Sequence, residues 1–292
     1  FTNIAENLNL ESDSLSNGAG WGDFNNDGYI DLWSNNFKRE DDLFLNPNAP
    51  NQNWDDSHNP FYLSATQDVV PVDYNNDGWL DMFTPGLLIA HDNGVDDAFG
   101  YKYTSLLYKN ILSDSLNFTN NWLILNLEGA KIDLTNNSSW TTQSNHSAIG
   151  ARVIVHLTDL QISREIIAGK GHGSMDPLQL HFGLGNNSTI DAITIKWPSM
   201  DSLTNTQKIR YYEGPFDVNQ KMHIVEDIGF VGLKGDVNDD NDANVVDVIN
   251  VVYSILNDFE ITPEYLWAAD MDFTLELNVN DIIKLVAFIL LP

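Results

Sequence analysis

The sequence contains no cysteine, and only 14 of its 292 residues are lysine or arginine. Without cysteine no disulfide can staple the fold, and the compartment cannot be read from thiol usage. The shortage of basic residues leaves 42 acidic ones largely unbalanced, a formal net charge of −28 at pH 7. Such a surface repels nucleic acid and anionic lipid and draws cations instead. Long apolar runs are missing too. The most apolar stretch, Ile282 to Leu291, is about half of the roughly 20 residues a membrane span needs, and Lys284 interrupts it. The chain begins at Phe1 with neither a methionine nor a charged-then-apolar leader, which reads as a mature or trimmed chain whose export signal is gone. The seven histidines show no metal-ligand spacing.

What is present is apolar enough to fold: a hydrophobic share of 42% over 292 residues suits two or three globular domains. Asparagine is abundant, so the six N-x-S/T sequons, at Asn117, Asn136, Asn137, Asn145, Asn186 and Asn187, are about what chance supplies. Residues 1–115 alternate short apolar runs with Asn/Asp/Gly/Pro turns, the pattern of β-hairpins. Over 116–230 strand signals dominate. "ARVIVHL" puts Ala151, Val153, Val155 and Leu157 on one face, and "DAITIKW" does the same with Ile193, Ile195 and Trp197, which predicts an antiparallel β-sandwich. Over 231–292 the period changes to helical, with Val248, Val251, Val252 and Ile255, then Ile282, Leu285, Val286 and Ile289. Each helix follows an acidic loop.

Acidic loops are the most distinctive feature. "DFNNDGYID" (Asp23 to Asp31) recurs as "DYNNDGWLD" (Asp73 to Asp81). Asp23, Asn25, Asp27 and Asp31 fill positions 1, 3, 5 and 9, Gly28 permits a sharp turn, and the Tyr29 carbonyl can add a fifth oxygen. Asp73, Asn75, Asp77, Asp81 and the Trp79 carbonyl repeat the set. Hard oxygen donors with three carboxylates suit Ca²⁺; Zn²⁺ would want His or Cys. In the helical region "DVNDDNDANVVD" places Asp236, Asn238 and Asp240 at positions 1, 3 and 5, Asp242 at 7 through its carbonyl, Asn244 at 9 and Asp247 at 12. "DMDFTLELNVND" keeps Asp270, Asp272, Asn278 and Asp281, with Thr274 at position 5 and Glu276 at 7. Asn241 and Leu275 stand where glycine would make the turn. Asparagine tolerates the left-handed conformation and leucine does not. Three calcium sites are expected, and the second helical loop stays open as a fourth.

Several resemblances rest on these stretches. "GWGDFNNDGYIDLW" and "VVPVDYNNDGWLDMF" resemble the FG-GAP/VCBS repeat, the calcium-bearing β-hairpin of integrin-type propellers. Two repeats are fewer than a seven-bladed propeller holds, so either further blades precede this chain or the module is a short variant. "HSAIGARVIV", "REIIAGKGHGSMDPLQLHFGLG" and "DAITIKWPS" resemble, in order, the ASPIC/UnbV domain that follows such repeats in the cartilage acidic protein family. "TSLLYKN" resembles that family's link and "KMHIVED" its closing strand. The C-terminal loops and helices resemble a type I dockerin, in which aspartate replaces the final glutamate of an EF-hand. The implied organisation is an FG-GAP-type module (1–115), an ASPIC/UnbV-like sandwich (116–230) and a dockerin-like helical module (231–292), mainly β with a small all-α tail.

Signals for catalysis are thin. "GKGHGS" (Gly169 to Ser174) lacks phosphate-loop spacing and reads as a turn. Ser174, His172 and Asp176 have triad chemistry without a nucleophile elbow. A glycosidase pair among the acids cannot be singled out, and Asp92, Asp96 and Asp97 read as solvated charge. Trp21, Trp33, Trp79 and Trp140 could stack on sugars, but the first three flank the calcium loops and read as core. The expectation is therefore a secreted, extracellular or cell-surface calcium-binding protein, non-catalytic, serving adhesion or binding. By the dockerin resemblance its tail would dock to a cohesin-like domain through Val245, Val246, Val279, Asn280 and the helix faces. Neighbouring copies of the chain and a surface glycan are further candidate partners. A self-assembling filament or surface-layer subunit and a dockerin-tagged glycan-acting enzyme are the alternatives.

Overall fold

The computed structural model describes residues 1–11, 15–49, 52–56, 63–66, 68–90, 101–102, 105–114, 119–130, 143–170, 174–240, 242–257, 262–274 and 276–290. Trp140, His172, Asn241, Leu275, Asp92, Asp96, Asp97 and the sequons at Asn117, Asn136 and Asn137 lie outside these residues. The chain is mainly β, with antiparallel sheets and three short helices, and among the described residues no sheet closes into a propeller. It divides into two compact units, Phe1–Ile124 with Ala148–Lys221, and Leu125–Ser147 with Met222–Pro292.

The first unit opens with β1 (Leu15–Gly22), β2 (Asp31–Glu40), β3 (Asp42–Phe44), β4 (Leu63–Thr66), β5 (Val70–Val72), β6 (Asp81–Thr84), β7 (Gly86–Ala90), β8 (Tyr101–Lys102) and β9 (Leu106–Tyr108). One sheet runs β1-β2-β4-β7-β8 with β3 beside β2, and a second runs β5-β6-β9. The two acidic loops join β1 to β2 and β5 to β6, so each is the turn of a hairpin. The hairpins share a register: Gly22 pairs with Asp31 as Val72 pairs with Asp81, and Leu32 pairs with Phe44 as Met82 pairs with Tyr108. The sequence repeat is thus a repeat of three strands, each closed by a strand that the spacing of the loops alone did not reveal. Phe24, Trp33, Leu43, Leu45, Val69, Leu80 and Met82 are buried together between the two copies, with Tyr108 against them.

Six further strands follow in this unit or begin there: β10 (Asn121–Glu128), β11 (Arg152–His156), β12 (Gln161–Glu165), β13 (Leu180–Gly185), β14 (Thr189–Met200) and β15 (Gln207–Asp217) complete the set, with β10 ending in the second unit. β12-β11-β14-β15 form an antiparallel sheet. The predicted alternation is present: Val153, Val155, Ile193, Ile195 and Trp197 are all fully buried. β16 (Gln220–Val225) starts in the first unit and ends in the second, where it pairs with β17 (Gly229–Val231).

The second unit carries α1 (Val245–Asn257), α2 (Pro263–Ala269) and α3 (Val279–Leu290). Val251, Ala269 and Leu285 are its buried centre, with Val248, Ile255, Ile282 and Ile289 packed on them. Val286, expected on that face, is 36% exposed, because Ile282, Leu285 and Ile289 fill the face and Val286 falls on its rim. The helix α2 was not anticipated, although its start carries clear signals: Thr262 accepts the Tyr265 N–H at 3.2 Å, and Pro263 occupies the first turn. No helix among the described residues is long and apolar enough to cross a membrane.

Candidate metal centres

All four acidic loops share one bend over their first five positions. The residue at position 4 is left-handed in each, with φ of 58° at Asn26, 61° at Asn76, 60° at Asp239 and 62° at Phe273. Asparagine and aspartate accept that conformation readily; phenylalanine does so only under constraint. The bend lets the position-5 N–H donate to the position-1 carboxylate: Asp27 to Asp23 at 3.0 Å, Asp77 to Asp73 at 3.1 Å, Asp240 to Asp236 at 3.1 Å and Thr274 to Asp270 at 2.9 Å. The closing acid then reaches back to the start of the loop. Asp31 and Asp81 accept the N–H of Phe24 (2.8 Å) and Tyr74 (3.3 Å); Asp247 and Asp281 accept those of Val237 (2.9 Å) and Asp272 (3.1 Å). The carboxylates at position 1 and at position 9 or 12 are thereby both tied to the backbone of the loop's first five residues.

In the two hairpin loops Gly28 and Gly78 are also left-handed, and their N–H groups donate to Asp23 (2.8 Å) and Asp73 (3.1 Å). The N–H groups of Tyr29 and Trp79 donate to Asp27 and Asp77, both at 2.9 Å. Asn25 and Asn75 donate to the same two acids at 3.0 and 2.7 Å. The loops differ in burial. Asp23, Asn25, Asn26 and Asp31 are buried, whereas Tyr74, Asn75 and Asn76 are exposed. The first loop is enclosed by later strands of the same unit. The Gly185 N–H donates to Asn26 O at 2.8 Å, and Asn120 donates to Asn25 O at 2.9 Å. A side chain at Gly183 would sit 2.2 Å from an Asp23 oxygen. Nothing in the sequence distinguished the two loops in this respect.

Burial sets the electrostatics. It pushes Asp23 up to about 7, with the Asp27 charge adding to it, and Asp31 up to about 8, with the Asp23 charge adding. Asp27 and Asp81 are raised by burial as well. Arg164 on β12 lies 3.9 Å from Asp23, its Nη2 buried without a hydrogen-bond partner. His181 meets the Gly78 carbonyl at 2.9 Å, and burial lowers its pKa to about 4. The ring is then neutral, and Nε2 carries the proton because the carbonyl can only accept.

The helical loops end as helix caps. Asn244 accepts the Val246 N–H at 2.8 Å while Asp247 accepts the Asn244 N–H at 2.8 Å; Asn278, Asn280 and Asp281 repeat this at 2.8 and 2.9 Å. This reciprocal box is the reason an acid at position 12 also starts a helix. The position-7 carbonyls of Asp242 and Glu276 accept from the Asn244 and Asn278 amides at 3.1 and 3.2 Å, and Asn238 donates to Asp240 at 2.8 Å. In the last loop the Thr274 hydroxyl donates to Asp272 at 2.6 Å and holds that carboxyl below its ordinary range. Asp270, Asp272 and Asp281 bring carboxylate oxygens within 4.8 Å of one another, the one such trio of acidic or histidine side chains among the described residues. The loop that looked weakest as a sequence has the tightest acid cluster, since Thr274 adds a hydroxyl donor where a fourth carboxylate would repel.

Two residues escaped the sequence reading. Asn46 and Asn110 donate their N–H groups to the second oxygen of Asp31 (2.8 Å) and of Asp81 (2.7 Å). Their side-chain amides donate to the position-8 carbonyls, Ile30 at 3.1 Å and Leu80 at 3.0 Å. The signal lay in "LFLN" and "LLYKN", which end the third strand of each repeat. Of the triad-like set, His172 lies outside the described residues, Asp176 pairs with Lys170, and Lys170 forms a backbone bridge to Ser174. Trp33 and Trp79 are core as expected, but Trp21 is 55% exposed.

The chain thus carries four acidic turns rich in oxygen donors on a mainly antiparallel β scaffold with a small helical tail. Compared with known proteins, residues 141–228 match the family described as ASPIC and UnbV. That match covers β11 to β16, the middle part of the chain to which the resemblance was assigned. None of the curated proteins matches the chain.

Proposed function

We propose that this is a secreted calcium-binding, non-catalytic adhesion or binding protein that docks to a protein partner through its C-terminal helical module. In this reading it has three modules: FG-GAP/VCBS-type hairpins at 1–115, an ASPIC/UnbV-like sandwich at 116–230 and a dockerin-like tail at 231–292. Calcium is held by Asp23, Asn25, Asp27 and Asp31 with the Tyr29 carbonyl, and by Asp73, Asn75, Asp77 and Asp81 with that of Trp79. In the tail it is held by Asp236, Asn238, Asp240, Asn244 and Asp247 with the Asp242 carbonyl. Asp270, Asp272, Thr274 and Asp281 with the Glu276 carbonyl make a fourth set. The oxygen-only donor sets and the shared turn geometry support Ca²⁺ over softer ions.

One observation carries the docking. Along α1, Val245, Ile249, Tyr253 and Leu256 are each more than half exposed, and along α3 so are Val279, Ile283 and Leu290. These positions follow the helical period, so each helix keeps a second apolar stripe opposite the one it buries. The test is molar mass by light scattering, first of the pure chain in calcium and in chelator, then with a cohesin-like domain added. A calcium-dependent complex lost in Ile283→Asp supports docking. A large calcium-dependent assembly of the pure chain would replace it with the self-assembling filament or surface-layer reading. No complex and no assembly would refute both.

A further inference from the structure

Within the first unit, a cleft of about 410 Å³ opens beside the two hairpin loops, in the size range of small-ligand sites. Its apolar lining includes Trp21, Pro71, Ile167 and Pro177. Trp21 is 55% exposed and Ile167 is 58% exposed, whereas Trp33 and Trp79 of the same unit are 5% and 6% exposed. An indole left half open at a cleft is a large flat apolar surface that the described residues of the unit cover only in part. The charged lining is Asp23, Asp73, Glu165 and Asp176 against Arg164 and Lys170. Among the described lining residues both cations already face a carboxylate, Lys170 paired to Asp176 and Arg164 3.9 Å from Asp23, and the acids outnumber them. Ser163 and Gln179 add neutral hydrogen-bonding groups.

We propose that this cleft binds a neutral saccharide, with a sugar ring stacked on Trp21 and its hydroxyls bonded by Glu165 and Gln179. A sugar ring combines an apolar C–H face, whose partial positive charge suits the indole face, with an edge of groups that both donate and accept. A purely apolar ligand would make no use of the exposed Glu165 and Gln179 at the rim, and an anionic one would meet the excess of carboxylates. Asp23 and Asp73, the first residues of both hairpin loops, border the same cleft, so its shape depends on the loops that calcium is proposed to hold. The inference rests on the non-catalytic binding reading and adds the ligand class.

The experiment titrates the intact chain with cellohexaose, xylohexaose and mannohexaose, and with trigalacturonate as the anionic comparison, by calorimetry in calcium and in chelator. At least one neutral oligosaccharide binds, Trp21→Ala weakens it at least tenfold, and Gln179→Ala weakens it less. Trp21→Phe, which keeps an aromatic face on the strand, retains most of the binding and shows that loss in the alanine variant is not misfolding. Absence of binding by all three neutral sugars, equal affinity in Trp21→Ala, or preference for trigalacturonate each overturns the proposal. Self-association lost in Trp21→Ala without sugar binding gives the face to a second copy and also overturns it. The two readings fail separately: sugar binding by a chain that takes up no calcium refutes the calcium reading alone, and calcium uptake without sugar binding refutes the saccharide alone.

Discussion

Replacing Asn110 by alanine tests whether the third strand of each repeat closes its loop. The Asn110 amide donates to Phe24 O at 2.8 Å in the first loop and to Leu80 O at 3.0 Å in the second, and its carbonyl accepts the Leu112 N–H at 2.9 Å. Alanine keeps the backbone bond to Asp81 and removes these three. At about 1 kcal/mol net for each bond the loss is about 3 kcal/mol. For a chain of this size that lowers Tm by roughly 6–12 °C. Asn46→Ala loses the bonds to Ile30 O and from the Asn48 N–H, the latter exposed, so about 1–2 kcal/mol is expected. Asn110→Asp keeps the shape but turns a carboxylate oxygen toward two carbonyls, and should be at least as harmful as alanine. The assay is urea unfolding at fixed excess calcium, which keeps ligand linkage the same for all variants. A loss under about 1 kcal/mol for Asn110→Ala, or an aspartate milder than alanine, would refute the reasoning.

Other expectations follow from the same geometry. Asp23 and Asp31 sit at about 7 and about 8 when folded, against 3.8 ordinarily, so the folded chain holds protons that the unfolded chain has released. Stability in chelator should therefore fall as pH rises from about 4 to about 8, and calcium should flatten that slope; Tm against pH in both conditions checks it. Gly183→Ala would place a methyl 2.2 Å from Asp23 Oδ2 and 2.4 Å from Asn26 Cα, so calorimetry should show one calcium lost while the Asp73 loop keeps its own. Asp247→Ala removes the acceptor of the Val237 and Asn244 N–H groups, and should lower helical circular dichroism at 222 nm and cost about 1 kcal/mol even in chelator.

What could be read beforehand was whatever is local. The period-2 runs at Val153 and Ile193 and the helical runs at Val251 and Leu285 became buried faces, because burial of one face is what such periods encode. Loop positions 1, 3 and 5 were readable because the turn that gathers them is made by neighbouring residues. The misses are long-range. Asn110 lies 86 residues from Phe24, and Gly183 far from Asp23, so no window of sequence could show that the first loop is enclosed. Trp21 was misjudged because flanking a loop does not decide which face of the strand is covered. The α2 start was local and readable, but a seven-residue helix is too short to show a period.

The shared loop has a consequence for how such a chain can grow. Through its first five positions the turn is closed by its own hydrogen bonds, and in both hairpins the closing acid is anchored to the third strand by one asparagine. Fifteen residues separate Asp31 from Asn46, and 29 separate Asp81 from Asn110, yet both asparagines bond their acids alike. Extra length between those two anchors is therefore tolerated, and the acid can equally belong to a strand at position 9 or a helix at position 12. Insertions after the closing acid are where this architecture can acquire new surface without retuning its cation sites.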